Sequence, residues 1–137
     1  MFQNLLELST SRLQRERFKS GELREEWIRL FPDLFDSDDI DVVKTQGNSG
    51  YHFNEWLSAV TIKQTLGYDS LIEKYEFEKH KSKQEIIKKL LPAEVLEVVQ
   101  MPYSERHAQC PDLLCFKPDM TDWFFCEVKG PGDRMRD

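Results

Sequence analysis

Two apolar segments near the C-terminus carry charged residues at positions where a strand packed in a core would ordinarily have none. The first segment is Cys110-Pro111-Asp112-Leu113-Leu114-Cys115-Phe116, and the second is Trp123-Phe124-Phe125-Cys126-Glu127-Val128-Lys129. The residues between them include the proline and aspartates that are typical of turns. We therefore expect a β-hairpin, or two neighbouring strands, that brings Asp112 and Glu127 together near one edge of a sheet.

The charged residues restrict the chemistry of this region. An apolar strand tolerates a carboxylate when something offsets the loss of water, and a divalent cation does so well. Asp112, Glu127 and the backbone carbonyl of Val128 form an oxygen-rich set suited to Mg²⁺ or Mn²⁺. Because side chains two residues apart share a face of a strand, Lys129 should project beside Glu127 while Val128 packs inward. The pattern is typical of metal-assisted phosphodiester hydrolysis, with Lys129 positioning the attacking water.

The Pro111-Asp112 and Glu127-Val128-Lys129 motifs resemble the core of the PD-(D/E)XK nuclease superfamily. With the continuation Gly130-Pro131-Gly132-Asp133-Arg134, the segment is similar to the VRR-NUC branch, the virus-type replication-repair nucleases. The resemblance is strong over about residues 109–136 and weaker from residue 51 onward. It implies a restriction-endonuclease-like core, which is an α/β fold with a mixed central β-sheet flanked by helices. It also implies a metal-dependent DNA endonuclease, selective for flap or branched DNA, that acts in replication, repair or phage processing.

The resemblance further implies one more acidic ligand, from a helix that precedes the sheet. The best match is Glu55, in a predicted helix that Asn54 or the region of Gly50 would cap and that Gly67 would end. An apolar side of this helix is formed by Trp56, Leu57, Val60 and Leu66. An ordinary first-turn glutamate, stabilised by the helix dipole, is an equally weighted alternative for Glu55. The nearby His52 is more often a structural or surface residue than a ligand.

Members of the VRR-NUC branch continue beyond the Gly-Pro-Gly-Asp-Arg motif with a glutamine, a helix and a further strand, whereas this sequence ends at Asp137. We therefore expect the C-terminal helix and strand of the nuclease core to be missing here. The catalytic strand would then have an exposed apolar edge. A second copy of the chain could pair on that edge, so a homo-oligomer is an expected partner besides DNA.

The charge of the chain bears on how it would bind DNA. A net charge of −6 disfavours simple electrostatic attraction to phosphates, although bound cations would reverse the local sign at the acidic site. Arg134 and Arg136 follow the catalytic strand and are the best placed to contact phosphate. Lys81 and Lys83 lie in a basic stretch over residues 79–89 and are weaker candidates, because a solvated helix face explains that stretch about as well.

The chain is expected to contain two parts. Residues 1–46 are predicted to form an N-terminal helical extension that packs on the core, and residues 47–137 to form the nuclease domain. The acidic stretch 33–41 lacks the ligand order of a calcium loop and is interpreted as a solvated linker. Residues 71–77 are expected to be a strand or an irregular link. Apolar periodicity predicts the remaining helices over residues 2–19, 22–31, 82–91 and 93–100.

Composition excludes other classes of protein. No stretch approaches the roughly 20 apolar residues of a membrane span. The first residues lack the basic start and the long apolar run of a signal peptide. Cys110, Cys115 and Cys126 have no Cys-X-X-Cys spacing and are interpreted as reduced core residues. We therefore expect a cytoplasmic protein, associated with the nucleoid if its source is bacterial.

Two other functions stay open at the level of the sequence. A catalytically inactive DNA-binding or assembly module could use the same fold, and it would show no stabilisation by a divalent metal. A restriction or defence nuclease would share the core but cut plain duplex DNA at specific sequences.

Overall fold

The computed structural model describes residues 12–46, 50, 52–102, 105 and 109–129. These residues form six helices and three strands, in the order α1 (Arg12–Lys19), α2 (Glu22–Leu30), α3 (Ser37–Gln46), α4 (Phe53–Leu66), β1 (Asp69–Ile72), α5 (Lys81–Leu90), α6 (Ala93–Gln100), β2 (Leu113–Phe116) and β3 (Trp123–Cys126). The predicted α/β class is therefore confirmed. Of the first predicted helix, residues 2–11 lie outside the described residues.

The described strands form one antiparallel sheet in the order β1-β2-β3. Strand β2 is central and all of its side chains are buried, which explains why its sequence is continuously apolar instead of alternating. The predicted pairing of the two C-terminal strands is confirmed, with Leu113 opposite Cys126 and Phe116 opposite Trp123. Both pairings in this sheet are antiparallel, so the predicted mixture of parallel and antiparallel strands is not found among the described strands.

One face of the sheet packs against helices α1 to α4 and the segment between α2 and α3. This α1–α4 core is rich in aromatic side chains, and Phe35 stacks on Trp56 with ring centroids 3.8 Å apart. The strands contribute Ile72, Leu113 and Cys115 to it. Fully burying a large apolar side chain contributes about 1.5–3 kcal/mol, so this cluster is a principal source of stability. The described part of the predicted N-terminal extension thus packs directly on helix α4 and the sheet.

The other face of the sheet packs against helices α5 and α6. Alternate residues of the strands, including Leu71, Leu114 and Phe116, point into this second cluster, the α5–α6 core. Tyr75 is fully buried there, and its hydroxyl donates a hydrogen bond to the Pro111 carbonyl at 2.6 Å. The sheet is therefore flanked by helices on both faces, as predicted.

The interpretation of residues 33–41 as a solvated linker is wrong, because helix α3 begins at Ser37. Asp36 caps this helix: its carboxylate accepts a hydrogen bond from the Asp39 N–H at 3.0 Å. Acidic residues in the first turn are stabilised by the helix dipole. Two of them also pair with the start of helix α5, where Asp38 binds His80 and Asp39 binds Lys83, each at 2.8 Å.

Helix α4 follows the prediction at its end but not at its start. Gly67 terminates it in the left-handed conformation with φ of 75°, a conformation that favours glycine. Asn54 lies inside the helix instead of capping it, and the cap position is occupied by His52. Leu66 was predicted to belong to the apolar side, yet its side chain is 54% exposed. Of the predicted turn at residues 47–50, only Gly50 lies within the described residues.

None of the helices in the described ranges has the length and apolar character needed to cross a membrane. Strand β1 and the turn that follows it resolve the open prediction for residues 71–77, since the strand ends at Ile72. Only residues 67 and 68 separate helix α4 from β1, and the helix packs against that strand, so the start of α4 lies beside the sheet end where β1 finishes and β2 begins.

Candidate functional site

Three acidic residues lie side by side at one end of the sheet. The last register pairs at this end join Ile72 to Leu113 and Leu113 to Cys126. One step further along each strand are Glu73, Asp112 and Glu127. The Glu73 N–H donates a hydrogen bond to the Asp112 carbonyl oxygen at 2.8 Å, which continues the β1–β2 ladder to this row. The sheet thus brings Asp112 and Glu127 together and adds Glu73 beside them.

The backbone of the Glu127-Val128-Lys129 segment is hydrogen-bonded to the side chain of Asp112. The Val128 N–H donates a hydrogen bond to Asp112 Oδ2 at 2.8 Å. Val128 is half-buried against the α1–α4 core, whereas Glu127 and Lys129 are exposed. This is the predicted alternation, although regular strand structure ends one residue earlier, at Cys126. One carboxylate oxygen of Asp112 is therefore engaged by the backbone of the neighbouring motif.

The first turn of helix α4 adds Glu55 and His52 to the same region. His52 Nδ1 lies 4.0 Å from Glu55 Oε2, and His52 Nε2 lies 3.7 Å from Glu73 Oε2. The three residues each offer a ligand atom within 4.8 Å of those of the other two. Glu55 was predicted to reach the site from this helix. Its carboxylate lies near that of Glu73, and the charge of Asp112 acts on it.

Burial and the negative charges of neighbouring carboxylates raise the pKa values of Glu73, Glu55 and Glu127. For Glu73, burial and then the charges of Glu55 and Asp112 raise the pKa to about 7. Burial also raises the pKa of Glu55, and the charge of Asp112 adds to the effect. The pKa of Glu127 is raised by burial and by Asp112, an effect that the Lys129 ammonium opposes. A site of this kind favours either bound protons or a cation.

His52 has the opposite response to the same environment. Burial, followed by the charges of Lys74 and Lys83, lowers its pKa to about 4. The imidazole is therefore neutral near pH 7, which is the form that binds metals. Its side chain is only 8% exposed.

A cleft opens beside the acidic row and reaches Glu73 and Asp112. It encloses about 470 Å³. Its remaining walls carry polar, charged and apolar groups, which are Lys74, Glu76, Phe77, Gln100, Met101, Pro102, Gln109 and Cys110. The cleft is large enough to admit a small ligand or part of a larger one to the two carboxylates.

The structure describes two of the four predicted DNA-contact residues, Lys81 and Lys83. Lys83 is 2% exposed, and its ammonium donates hydrogen bonds to Asp39 and to the carbonyls of Ile72 and Glu73. The prediction that it contacts DNA is therefore wrong, because a buried and fully engaged ammonium cannot reach phosphate. Lys81 is exposed at the start of helix α5. Arg134 and Arg136, together with the Gly-Pro-Gly-Asp-Arg motif, lie outside the described residues.

The cysteines are all free thiols. Burial raises the pKa of Cys115 to about 12 and that of Cys126 to about 11. A thiol that keeps its proton is a poor nucleophile and a poor metal ligand, so these two residues contribute packing and not chemistry.

Glu73 was not identified from the sequence as a site residue. Its signal was weak: a glutamate directly after the apolar pair Leu71-Ile72, in a segment that could be a strand. Only the register between β1 and β2 places it beside Asp112. His52 was weighed as a minor candidate, and its proximity to two carboxylates depends on the packing of helix α4 against β1.

Comparisons of the chain with protein-family models, with curated proteins and with solved structures found no match. The fold defines an α/β protein in which acidic side chains lie at one end of the sheet. The geometry of that end and the sequence motifs that form it are therefore the basis for assigning a function.

Proposed function

We propose that this protein is a metal-dependent deoxyribonuclease of the VRR-NUC type within the PD-(D/E)XK superfamily. The observation that carries the proposal is that the sheet places Asp112 beside Glu127, close enough to Glu55 for the charge of Asp112 to act on that residue. It is supported by the hydrogen bond from the Val128 N–H to Asp112, which ties the Pro-Asp motif to the Glu-Val-Lys motif. The reaction would be hydrolysis of a DNA phosphodiester bond.

The donor set fits a hard divalent cation. Asp112, Glu127 and Glu55 would hold Mg²⁺ or Mn²⁺, together with the backbone carbonyl of Val128. The raised pKa values of Glu55 and Glu127 support this assignment, because burial and the charge of Asp112 make their ionised forms unfavourable unless a cation is bound. When bound, the cation would neutralise charge on the phosphate and make an attacking water more acidic.

Lys129 would work beside the cation. Its ammonium is exposed, and it acts on Glu127 strongly enough to oppose the rise in that residue's pKa. From this position Lys129 would orient the attacking water and offset the negative charge that develops on the phosphate. It would not be needed to hold the cation.

The proposed substrate is flap or branched DNA processed in replication, repair or phage metabolism. The choice of substrate is supported by the resemblance of the motifs to VRR-NUC nucleases. The cleft beside Glu73 and Asp112 gives room for an unpaired strand near the acidic row. Because the net charge is −6, binding should be weaker than that of a basic domain and should depend on the cation.

A cleavage assay tests the proposal. Labelled duplex, single-stranded, flap and four-way-junction DNA would be incubated with Mn²⁺, with Mg²⁺ and with EDTA, beside Asp112→Ala. We expect metal-dependent cutting that the substitution abolishes, with flap or junction DNA preferred. Sequence-specific cutting of plain duplex would instead indicate a restriction or defence nuclease.

A melting experiment distinguishes an inactive module from an enzyme. A cation that binds only the folded chain stabilises it by about 2.7 kcal/mol at a hundredfold excess over its Kd. We expect Mg²⁺ to raise the melting temperature of the wild-type protein but not that of Asp112→Ala. DNA binding with neither cleavage nor a metal-induced rise in melting temperature would favour the DNA-binding or assembly module.

A further inference from the structure

The cluster of His52, Glu55 and Glu73 contains a nitrogen ligand that the proposed nuclease site does not use. We propose that these three residues hold a second divalent cation, chosen from Mn²⁺, Co²⁺ or Zn²⁺ in preference to Mg²⁺. This inference rests on the proposed function only through Glu55, which the two sites would share. Glu73 and His52 are assigned to the second site alone.

The separations within the cluster suit a bridging ion better than direct hydrogen bonds. His52 Nδ1 to Glu55 Oε2 is 4.0 Å, and His52 Nε2 to Glu73 Oε2 is 3.7 Å. Both distances exceed the length of an N–H···O hydrogen bond, which is about 2.7–3.2 Å. Ligand atoms at about 2.0–2.2 Å from one metal ion lie roughly 3–4 Å from one another. The two distances involve different nitrogens of the His52 ring, and a single ion binds only one of them. One ring nitrogen and one oxygen from each glutamate nevertheless lie within 4.8 Å of one another, so small side-chain rotations would bring these three atoms around an ion.

The backbone already fixes the residues that would bind this ion. His52 begins helix α4, where its carbonyl accepts a hydrogen bond from the Trp56 N–H at 2.9 Å. The Glu73 carbonyl accepts a hydrogen bond from the Lys83 ammonium at 2.8 Å, and the Glu73 N–H donates to Asp112. Both residues have positive φ values, 68° for His52 and 47° for Glu73, and these conformations persist because surrounding contacts hold them.

The chemistry of the donor set selects the kind of metal. An imidazole with two carboxylates suits Mn²⁺, Co²⁺ and Zn²⁺, whereas Mg²⁺ takes oxygen ligands almost exclusively. The site proposed around Asp112 and Glu127 offers only oxygen atoms. The two sites should therefore differ in metal preference, with the histidine site populated by the softer ions.

Pulsed electron paramagnetic resonance of bound Mn²⁺ tests this inference directly, because it detects nitrogen bonded to the ion. The chain of residues 1–137 would be measured beside His52→Asn, which keeps a residue type that tolerates positive φ. His80→Asn provides a matched control, since that histidine pairs with Asp38 elsewhere in the fold. We expect imidazole nitrogen modulation in the wild type and in His80→Asn, and its loss in His52→Asn.

Binding isotherms separate the two sites. We expect two Mn²⁺ ions per wild-type chain, and one in each of the variants His52→Asn and Asp112→Asn. Glu73→Gln is a second probe that should weaken the histidine site by about tenfold or more without removing the other. Far-ultraviolet circular dichroism would verify that each variant is folded.

The outcomes are distinguishable from those of the nuclease proposal. Absent nitrogen modulation in the wild type, or modulation that persists in His52→Asn, would overturn the histidine site even if DNA is cleaved. If nitrogen modulation is present in the wild type and lost in His52→Asn, but the protein cleaves no DNA, the histidine site is supported and the nuclease proposal fails.

Discussion

The substitution Lys83→Met removes a buried cation that joins three parts of the fold. The Lys83 ammonium donates hydrogen bonds to Asp39 Oδ1 on helix α3 at 2.8 Å and to the Glu73 carbonyl at 2.8 Å. It also donates to the Ile72 carbonyl. Methionine preserves most of the side-chain volume but none of these donors. Asp39, whose side chain is 14% exposed, would be left buried without its partner, and burial, which raises its pKa to about 7 even beside Lys83, would then favour the protonated carboxyl.

The expected loss of stability follows from the buried acceptors that lose their donor, which are the Asp39 carboxyl and the carbonyls of Ile72 and Glu73. Removing one partner of a buried ion pair costs about 3–5 kcal/mol. The free energy of unfolding of a domain this size is of the order of 5–15 kcal/mol, so the variant should lose a large fraction of its stability. Adding Asp39→Asn removes the carboxyl that has lost its partner. The double variant should therefore be destabilised less than the sum of the two single substitutions.

Urea denaturation followed by tryptophan fluorescence measures these effects. With an m-value of about 1.5 kcal/mol/M, a loss of about 4 kcal/mol lowers the midpoint by roughly 2–3 M urea. Lys81→Met is the matched control, because that lysine is exposed on the same helix and should change stability by less than about 0.5 kcal/mol. A loss below about 1 kcal/mol for Lys83→Met, or strict additivity with Asp39→Asn, would refute the reasoning.

Three further predictions concern the site and the core. Because the pKa of Glu73 is raised from 4.5 to about 7, the folded metal-free protein loses stability as the pH rises through this window. In EDTA, Glu73→Gln should match the wild type near pH 4. At pH 8 it should be more stable than the wild type by about 1–2 kcal/mol, after allowance for solvent screening. Urea titrations at the two pH values measure this, and a Gln variant no more stable than the wild type at pH 8 would contradict it. Phe35→Ala should cost about 3–5 kcal/mol because it removes the ring stacked on Trp56, whereas a cost under about 1 kcal/mol in urea denaturation would show that the contact is unimportant. Lys129→Ala should abolish cleavage but keep the Mn²⁺-induced rise in melting temperature, and an unchanged cleavage rate would exclude the assigned role.

The parts of the fold that could be predicted are those encoded by local pattern. The hairpin of β2 and β3 follows from two apolar runs separated by a turn, and its register places Asp112 next to Glu127 without further information. Helix α4 likewise ends at Gly67, where the sequence indicates it should. The inward packing of Val128 between exposed Glu127 and Lys129 follows from strand periodicity.

The parts that could not be predicted depend on contacts between distant segments. Helix α3 forms in an acidic stretch because Asp36 caps it and because Asp39 pairs with Lys83, 44 residues away. Because of the same pairing, Lys83 is buried, although the sequence made it a candidate for DNA contact. Glu73 joins the site only through the pairing of β1 with β2. Sequence periodicity contains no information about such long-range partners.

Cleavage by a matched pair of aspartate variants tests the central claim most directly. Single-turnover cutting of flap DNA in Mn²⁺ would be measured for the wild type, for Asp112→Asn at the sheet end and for Asp33→Asn, an exposed aspartate before helix α3. We expect the wild type and Asp33→Asn to cut, and EDTA to abolish this cutting. The rate of cutting by Asp112→Asn should be lower by at least about a hundredfold, as expected when a group that stabilises the transition state is removed. Cutting that survives Asp112→Asn, or that proceeds in EDTA, would contradict a metal-dependent nuclease built on this carboxylate.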